Sequence, residues 1–150
     1  MPNAKTNCFV DTNLLVYSVD PDEATKRPLM ADLLRRIILG RTLVLSAQSL
    51  NECYRVITDR RRMMPRSDAR RFIEALAPFC TAPTDIGIAR LAWRIQDASG
   101  YAWWDCLLLA SAAAAGCKVF LSEDMQHERI IDDITILNPF KLPSDHKFSP

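Results

Sequence analysis

The chain has 150 residues and a formal net charge of +1; 49% of its residues are hydrophobic and only four are glycine. This length suits one domain with a sizeable core, and the composition argues against disorder. No apolar run reaches the roughly 18 residues that a membrane span needs, and the N-terminus has no secretory h-region. The five cysteines lack a CxxC pair. They indicate buried free thiols, so we expect a cytoplasmic protein without a membrane partner.

Strands alternate with helices along the chain. The strand at 7–10 leads through Asp11-Thr12-Asn13 into a short helix that ends near Ser18. The next helix has a start signal at 20–23 and ends near Gly40, although Pro28 requires a kink or a later start. The remaining predicted elements are a strand at 42–46, helices at 47–62 and 67–78, a short strand at 79–83, a helix at 85–99, a helix at 104–116, and strands at 118–122 and 134–138.

This order predicts a three-layer α/β/α sandwich with a mostly parallel central sheet. The segment 104–116, WDCLLLASAAAAG, is apolar on nearly every side, which is typical of a helix buried between layers. We expect one domain over residues 1–140. The polar, proline-bearing segment 141–150 is expected to be a mobile tail.

Four acidic residues lie at the edges of apolar elements: Asp11, Glu52, Asp105 and Asp124. Asp11 and Asp124 each follow a strand, so parallel strands would bring both to the same edge of the sheet. Asp105 opens a helix that leads away from this edge, and the following strand returns a comparable distance. Such a gathering of carboxylates is the usual way to hold a hard divalent cation, and such a cation points to phosphate chemistry.

Each acid also has a simpler interpretation. Asp11 and Asp105 could cap the helices that follow them, and Asp124 could be an ordinary turn residue. Glu52 falls on the helix side opposite the apolar face, so periodicity alone leaves it on the surface. The adjacent residues Thr12, Asn13 and Ser122 could orient ligands or water at such a site, or could be turn and cap residues. Trp103 and Trp104 could stack on bases or belong to the core.

A local concentration of positive charge accompanies the near-neutral total. Seven arginines and only two acids lie between residues 55 and 71. Such a patch can bind a phosphate backbone, or it can be a solvated surface. The candidates for contact with a phosphate backbone are Arg55, Arg60, Arg61 and Arg62.

At these residues the chain resembles the PIN-domain nucleases, specifically the VapC-like toxins of type II toxin–antitoxin pairs. The resemblance runs from about residue 9 to residue 140. It rests on FVDTNLLVY at 9–17, LNECYRVI at 50–57, WDCLLLASAAAAG at 104–116 and VFLSEDMQH at 119–127, with ITILNPF at 134–140. One departure is Glu128, where many relatives have glycine soon after the last motif; this puts the shape of the local loop in doubt.

The resemblance implies a Mg²⁺- or Mn²⁺-dependent endoribonuclease whose catalytic residues are Asp11, Glu52, Asp105 and Asp124. Of these, Asp11, Asp105 and Asp124 would hold the metal directly, and Glu52 would act through water. It also implies an RNA substrate, a homodimer and a small antitoxin that covers the active-site groove. The alternative is a catalytically weak α/β partner-binding protein that uses the groove for a protein segment and its acids as caps.

Overall fold

A computed structural model describes residues 5–143, in which one sheet separates two groups of helices. The strands are β1 (Cys8–Val10), β2 (Leu43–Val44), β3 (Val119–Leu121), β4 (Ile130–Ile131) and β5 (Ile134–Leu137). The α-helices are α1 (Thr12–Tyr17), α2 (Lys26–Leu39), α3 (Ala47–Arg55), α4 (Arg66–Leu76), α5 (Ile86–Ser99) and α6 (Trp103–Ala114). Of the predicted tail, residues 144–150 lie outside the described part, and Lys141 ends a short 3₁₀ turn, Pro139–Lys141.

The sheet has the strand order β2-β1-β3-β5-β4, and every neighbouring pair except β4 and β5 is parallel. The predicted α/β/α sandwich with a mostly parallel sheet is therefore confirmed. Central β1 and β3 pair in register, with Val10 opposite Leu121. The residues that follow these two strands consequently leave the sheet at the same edge.

Alternation along the strands gives the sheet two apolar faces. Val10 and Leu121 belong to the core cluster formed with α1 to α4. Phe9 and Phe120 point to the other face, where their rings stack with centroids 5.1 Å apart in the core formed with α5 and α6. Since strands buried on both faces read as continuous apolar runs, CFV and VFL are typical of this arrangement. No helix of the described residues is long and apolar enough to cross a membrane.

The second helix begins later than its start signal predicts. Residues 20–23 form a turn, and α2 begins at Lys26, so that Pro28 lies in its first turn, where proline is tolerated. Asp20 is fully buried and accepts a hydrogen bond from the backbone nitrogen of Asp22 at 3.0 Å. Its other carboxylate oxygen is paired with Arg61. Residues 20–23 are thus not a helix start. The buried carboxylate of Asp20 instead pairs with Arg61, which is 41 residues away in the chain.

Three further elements differ from the prediction. The segment 79–83 is not a strand: a 3₁₀ turn, Ala77–Phe79, precedes a single bridge between Cys80 and Leu45. The helix predicted over 47–62 is α-helical only to Arg55 and continues as a five-residue π-helix, Val56–Arg60. In addition, β4 was not predicted, because its two residues are too short for a periodicity signal and are joined to β5 by Asp132 and Asp133, both at positive φ.

Glu128, the departure noted in the sequence, has a φ of +67°. This left-handed conformation favours glycine, which explains why a glycine suits the loop. The backbone nitrogen of Glu128 nevertheless donates to the carbonyl of Ile136 at 2.7 Å, so the loop keeps its shape with a glutamate.

We therefore expect Glu128→Gly to be more stable than Glu128→Ala by roughly 1 kcal/mol, because glycine removes the strain while alanine keeps it. Urea unfolding of the two variants measures this difference. Both lose the contact of Glu128 with His127 at 3.7 Å, so their comparison isolates the backbone effect. Equal unfolding midpoints would show that the loop relaxes out of the left-handed region.

Candidate active site

Asp11 lies at the junction of β1 and α1, and its carboxylate is buried. It caps α1: the backbone nitrogen of Thr12 donates to Oδ1 at 2.8 Å. The hydroxyl of Ser122, which follows β3, donates to Oδ2 at 2.9 Å. Asp11 therefore caps α1, as one interpretation predicted, and also lies at the edge of the sheet. Its carboxylate does both, because one oxygen bonds to α1 and the other to the residue that follows β3.

Asp105 lies in the first turn of α6, but it is not the cap of this helix. The N-cap residue is Ala102, which makes no side-chain cap hydrogen bond. The carboxylate of Asp105 is close enough to Asp124 and Glu52 for their charges to raise its pKa, after the larger effect of its own burial. The helix α6 and strand β3 thus do return the chain to the edge at which it started.

Asp124 lies beyond β3 and is exposed, and its carboxylate accepts a hydrogen bond at 2.6 Å from the side-chain amide of Asn13. Glu52 is half-buried rather than directed to solvent. Its two oxygens accept from the hydroxyl of Thr12 and the amide of Gln48, each at 3.1 Å. The periodicity of α3 misplaced Glu52 because α1 packs across the polar side of that helix.

The three predicted supporting residues each contact a different acid: Ser122 contacts Asp11, Thr12 contacts Glu52, and Asn13 contacts Asp124. Asp11, Thr12 and Asn13 are consecutive, so the start of α1 touches every element that carries an acid except α6. The three consecutive residues of the DTN motif thus connect three of the four acid-bearing segments.

In the part of the chain that the structure describes, the four acids have no basic neighbour to balance their charge. Within residues 5–143, no lysine, arginine or histidine nitrogen lies within 4.0 Å of any of the four carboxylates. Carboxylate and hydroxyl oxygens are the ligands that Mg²⁺ and Mn²⁺ prefer, so the donor set fits a hard cation. However, no group of three or more His, Cys, Asp or Glu side chains in this part of the chain can hold an ion as it stands. Asn13 holds the carboxylate of Asp124, and Thr12 and Gln48 hold that of Glu52, in their present orientations.

Burial dominates the electrostatics of Asp11 and raises its pKa from 3.8 to about 7. The hydrogen bonds from Ser122 and Thr12 lower the pKa, and the negative charges of Asp105 and Asp124 raise it further. A carboxylate that is this costly to ionise has a strong electrostatic preference for a neighbouring cation.

This shift makes stability depend on pH. Between pH 4 and pH 7 an unfolded chain has lost the proton of Asp11 while the folded chain still binds it, so the free energy of unfolding should fall as the pH rises. The fall should reach a few kcal/mol, since one pKa unit corresponds to about 1.4 kcal/mol. Urea unfolding in EDTA across this range measures it. Asp11→Asn should lack this part of the slope; parallel curves for both proteins would contradict the shift.

The predicted RNA-binding arginines differ in their surroundings. Arg55, Arg60 and Arg62 are exposed. Arg61 is 41% exposed but its guanidinium is paired with the buried Asp20. Contact with RNA stays a prediction for all four, although Arg61 already has a structural partner.

Gln48 was missed by the sequence analysis. Its amide nitrogen bridges Glu52 Oε1 at 3.1 Å and the carbonyl of Trp104 at 3.3 Å, so it links α3 to α6. Its position four residues before Glu52 on one helix was the available signal.

A second missed group surrounds Glu123, next to Asp124. Glu123 accepts hydrogen bonds from Tyr17 and Lys26, and Lys26 lies over the rings of Tyr17 and Phe140. Partial burial alone would raise the pKa of Glu123, but the bonds from Lys26 and Tyr17 lower it overall. These contacts fix the segment that carries Asp124 to α1 and α2.

The family model of the PIN domain matches residues 8–132, and the chain therefore belongs to the PIN domain family. PIN domains are typically nucleases, and PIN nucleases generally use divalent metal ions. Comparison with curated proteins gives no match. Among solved structures, FitAcB from Neisseria gonorrhoeae is similar, with a TM-score of 0.61 and 18% identity over 90% of this chain and 99% of that chain. At this identity the likeness shows the fold.

Proposed function

We propose that this protein is a Mg²⁺- or Mn²⁺-dependent endoribonuclease and the toxin of a toxin–antitoxin pair. The observation that carries the proposal is the convergence of Asp11, Glu52, Asp105 and Asp124, without a basic partner among residues 5–143, in a chain of the PIN domain family. A divalent ion bound there would lower the pKa of a water molecule and neutralise charge on the phosphate.

The residues of the chain would divide this work. Asp11, Asp105 and Asp124 would hold the cation, and Glu52, fixed by Thr12 and Gln48, would position the attacking water. Ser122 and Asn13 would orient the carboxylates that they already contact. The exposed arginines Arg55, Arg60 and Arg62 would hold the RNA backbone without reading sequence.

Cleavage of RNA by the purified protein tests the proposed activity. We expect products with Mn²⁺ or Mg²⁺, none with EDTA, and none from Asp124→Asn with any of them. Cleavage that persists in EDTA would refute metal dependence. If the native protein cleaves no RNA in a mixed pool with either ion, the result favours the alternative, in which this protein is catalytically weak and binds a protein segment in the groove.

The toxin role rests on the resemblance to the VapC-like toxins. The acidic site would attract an arginine of a small antitoxin in place of the cation. Expression without a partner should arrest growth, and Asp11→Asn should relieve the arrest at matched soluble expression. We also propose a homodimer as the assembly in the cytoplasm. A native chain as harmless as Asp11→Asn would contradict the toxin role, while in vitro cleavage would still establish a nuclease.

A further inference from the structure

A cleft lies next to two of the four acids: its lining residue Gln48 is hydrogen-bonded to Glu52, and its lining residue Trp104 directly precedes Asp105. Its volume is about 610 Å³, and it lies between the N-terminal turns of α3, α5 and α6. Trp104 lines it and is 63% exposed, although it follows partly buried Trp103 and directly precedes Asp105. A large aromatic ring left this exposed beside a candidate active site is available for stacking.

Polar side chains that have atoms without hydrogen-bond partners among residues 5–143 line the same cleft as this ring. The amide oxygen of Gln48 has no donor among residues 5–143, while its nitrogen connects the cleft to Glu52. The side-chain amide of Asn51, which is exposed and lines the cleft, makes no hydrogen bond to any of residues 5–143. Asp85 uses only Oδ1, which accepts from the backbone nitrogen of Ile88 at 3.3 Å. Donors and acceptors thus face the cleft together with one flat apolar surface.

We infer that this cleft is a subsite for one unpaired nucleobase of single-stranded RNA, which stacks on Trp104 and is hydrogen-bonded by Gln48 and Asn51. The inference rests on the proposed RNA-cleaving function and deepens it. A nucleobase has a flat π-face and an edge of donors and acceptors, so it satisfies both kinds of group in the cleft. A purely apolar protein side chain would leave the two amides without partners, which is unfavourable.

The position of the cleft supports the same occupant. Trp104 and Asp105 are adjacent in the chain, and Gln48 bonds to both Glu52 and the carbonyl of Trp104. A base stacked on Trp104 would therefore belong to a nucleotide near the phosphate at the acids. The subsite would therefore hold the substrate in register with the site of cleavage, and the free amide groups would give it a preference among bases.

The test compares the affinities of an eight-nucleotide RNA pool of random sequence and an abasic ribose–phosphate chain of the same length, both measured in EDTA. The native protein should bind the RNA pool more tightly. Trp104→Ala should weaken binding of the RNA by roughly 5- to 150-fold, the range that loss of one base–aromatic stack implies, and leave binding of the abasic chain unchanged. Trp104→Phe should retain most of the affinity, since it keeps a ring.

Trp93→Ala is the matched control, because Trp93 on α5 is 53% exposed but does not line the cleft. It should leave both affinities unchanged. If the RNA is bound but Trp104→Ala loses no more affinity than Trp93→Ala, the inference fails and the proposed nuclease stands. If Trp104→Ala weakens both ligands equally and lowers the sedimentation coefficient of the free protein, the cleft is a contact between copies. Failure of the native protein to bind or cleave RNA overturns both.

Discussion

Asp105→Asn should abolish RNA cleavage while making the metal-free protein more stable. The carboxylate of Asp105 has a raised pKa because of its burial and of the charges of Asp124 and Glu52, so its ionised form opposes folding. The amide removes this repulsion and at the same time a ligand of the proposed cation. We expect the cleavage rate to fall by at least about 10²- to 10³-fold, as removal of one charge-stabilising group at a reaction centre typically does. The Tm in EDTA should rise by a few degrees, since about 1 kcal/mol corresponds to roughly 2–4 °C in a chain of this size.

Two measurements separate this result from a general loss of structure. RNA affinity in EDTA should be unchanged or higher for Asp105→Asn, because one negative charge near the phosphate is gone. Asp97→Asn removes a charge from the exposed surface of α5 and should alter neither cleavage nor Tm. A variant that cleaves at the native rate would show that Asp105 serves only the fold, and a lower Tm in EDTA would show that its charge is balanced within the protein.

Arg61→Ala should destabilise the protein by roughly 1–3 kcal/mol, because it leaves the buried carboxylate of Asp20 without its charged partner. This is less than for a pair buried on both sides, since the side chain of Arg61 is 41% exposed. Asp20 is fully buried, and without Arg61 its charge keeps only the hydrogen bond from the backbone of Asp22. Because this pair connects the end of the π-helix to the loop before α2, its loss should also loosen the helix that carries Glu52. Urea unfolding at neutral pH measures the free energy.

The neighbouring Arg60 provides the control, since it is exposed and has no ion-pair partner among residues 5–143. Arg60→Ala should change the free energy of unfolding by no more than about 0.5 kcal/mol. The double variant Asp20→Asn with Arg61→Ala should recover part of the loss, because it leaves no unpaired buried charge. Similar unfolding midpoints for Arg61→Ala and Arg60→Ala would mean that water replaces the guanidinium at Asp20.

The ion pair of Arg61 with Asp20 also determines which arginines between residues 55 and 71 can be replaced to test contact with RNA. A variant that includes Arg61 would lose affinity through unfolding, so Arg55, Arg60 and Arg62 are the residues to replace. Their triple alanine variant should bind RNA more weakly and with a flatter dependence on salt, as expected when phosphate contacts are lost. An unchanged salt dependence would identify the stretch as a solvated surface.

The layer architecture and the edge at which the acids lie could be predicted from the sequence. Doubly buried strands such as CFV and VFL, alternating with helices, predict a parallel sheet, and parallel strands place the residues after them at one edge. Asp11 and Asp124 follow from this rule directly, and Asp105 follows from the lengths of α6 and β3. These inferences succeeded because they depend on local periodicity and on chain direction.

The surroundings of Glu52, Asp20 and Glu128 could not be predicted, because they depend on contacts that form when the chain folds. Glu52 lies at the site because α1 packs against the polar side of α3, which the periodicity of a single helix does not record. Asp20 resembled a helix cap because the residues next to it have the local pattern of a helix start. Its actual partner, Arg61, is 41 residues away in the chain. Glu128 occupies a left-handed position that the hydrogen bond to Ile136 across the loop maintains. For Glu52 and Asp20 the deciding contact joins residues 40 and 41 positions apart, so no local pattern could specify it. For Glu128 the contact is nearer in the chain, but the left-handed conformation of a glutamate contradicts its local preference.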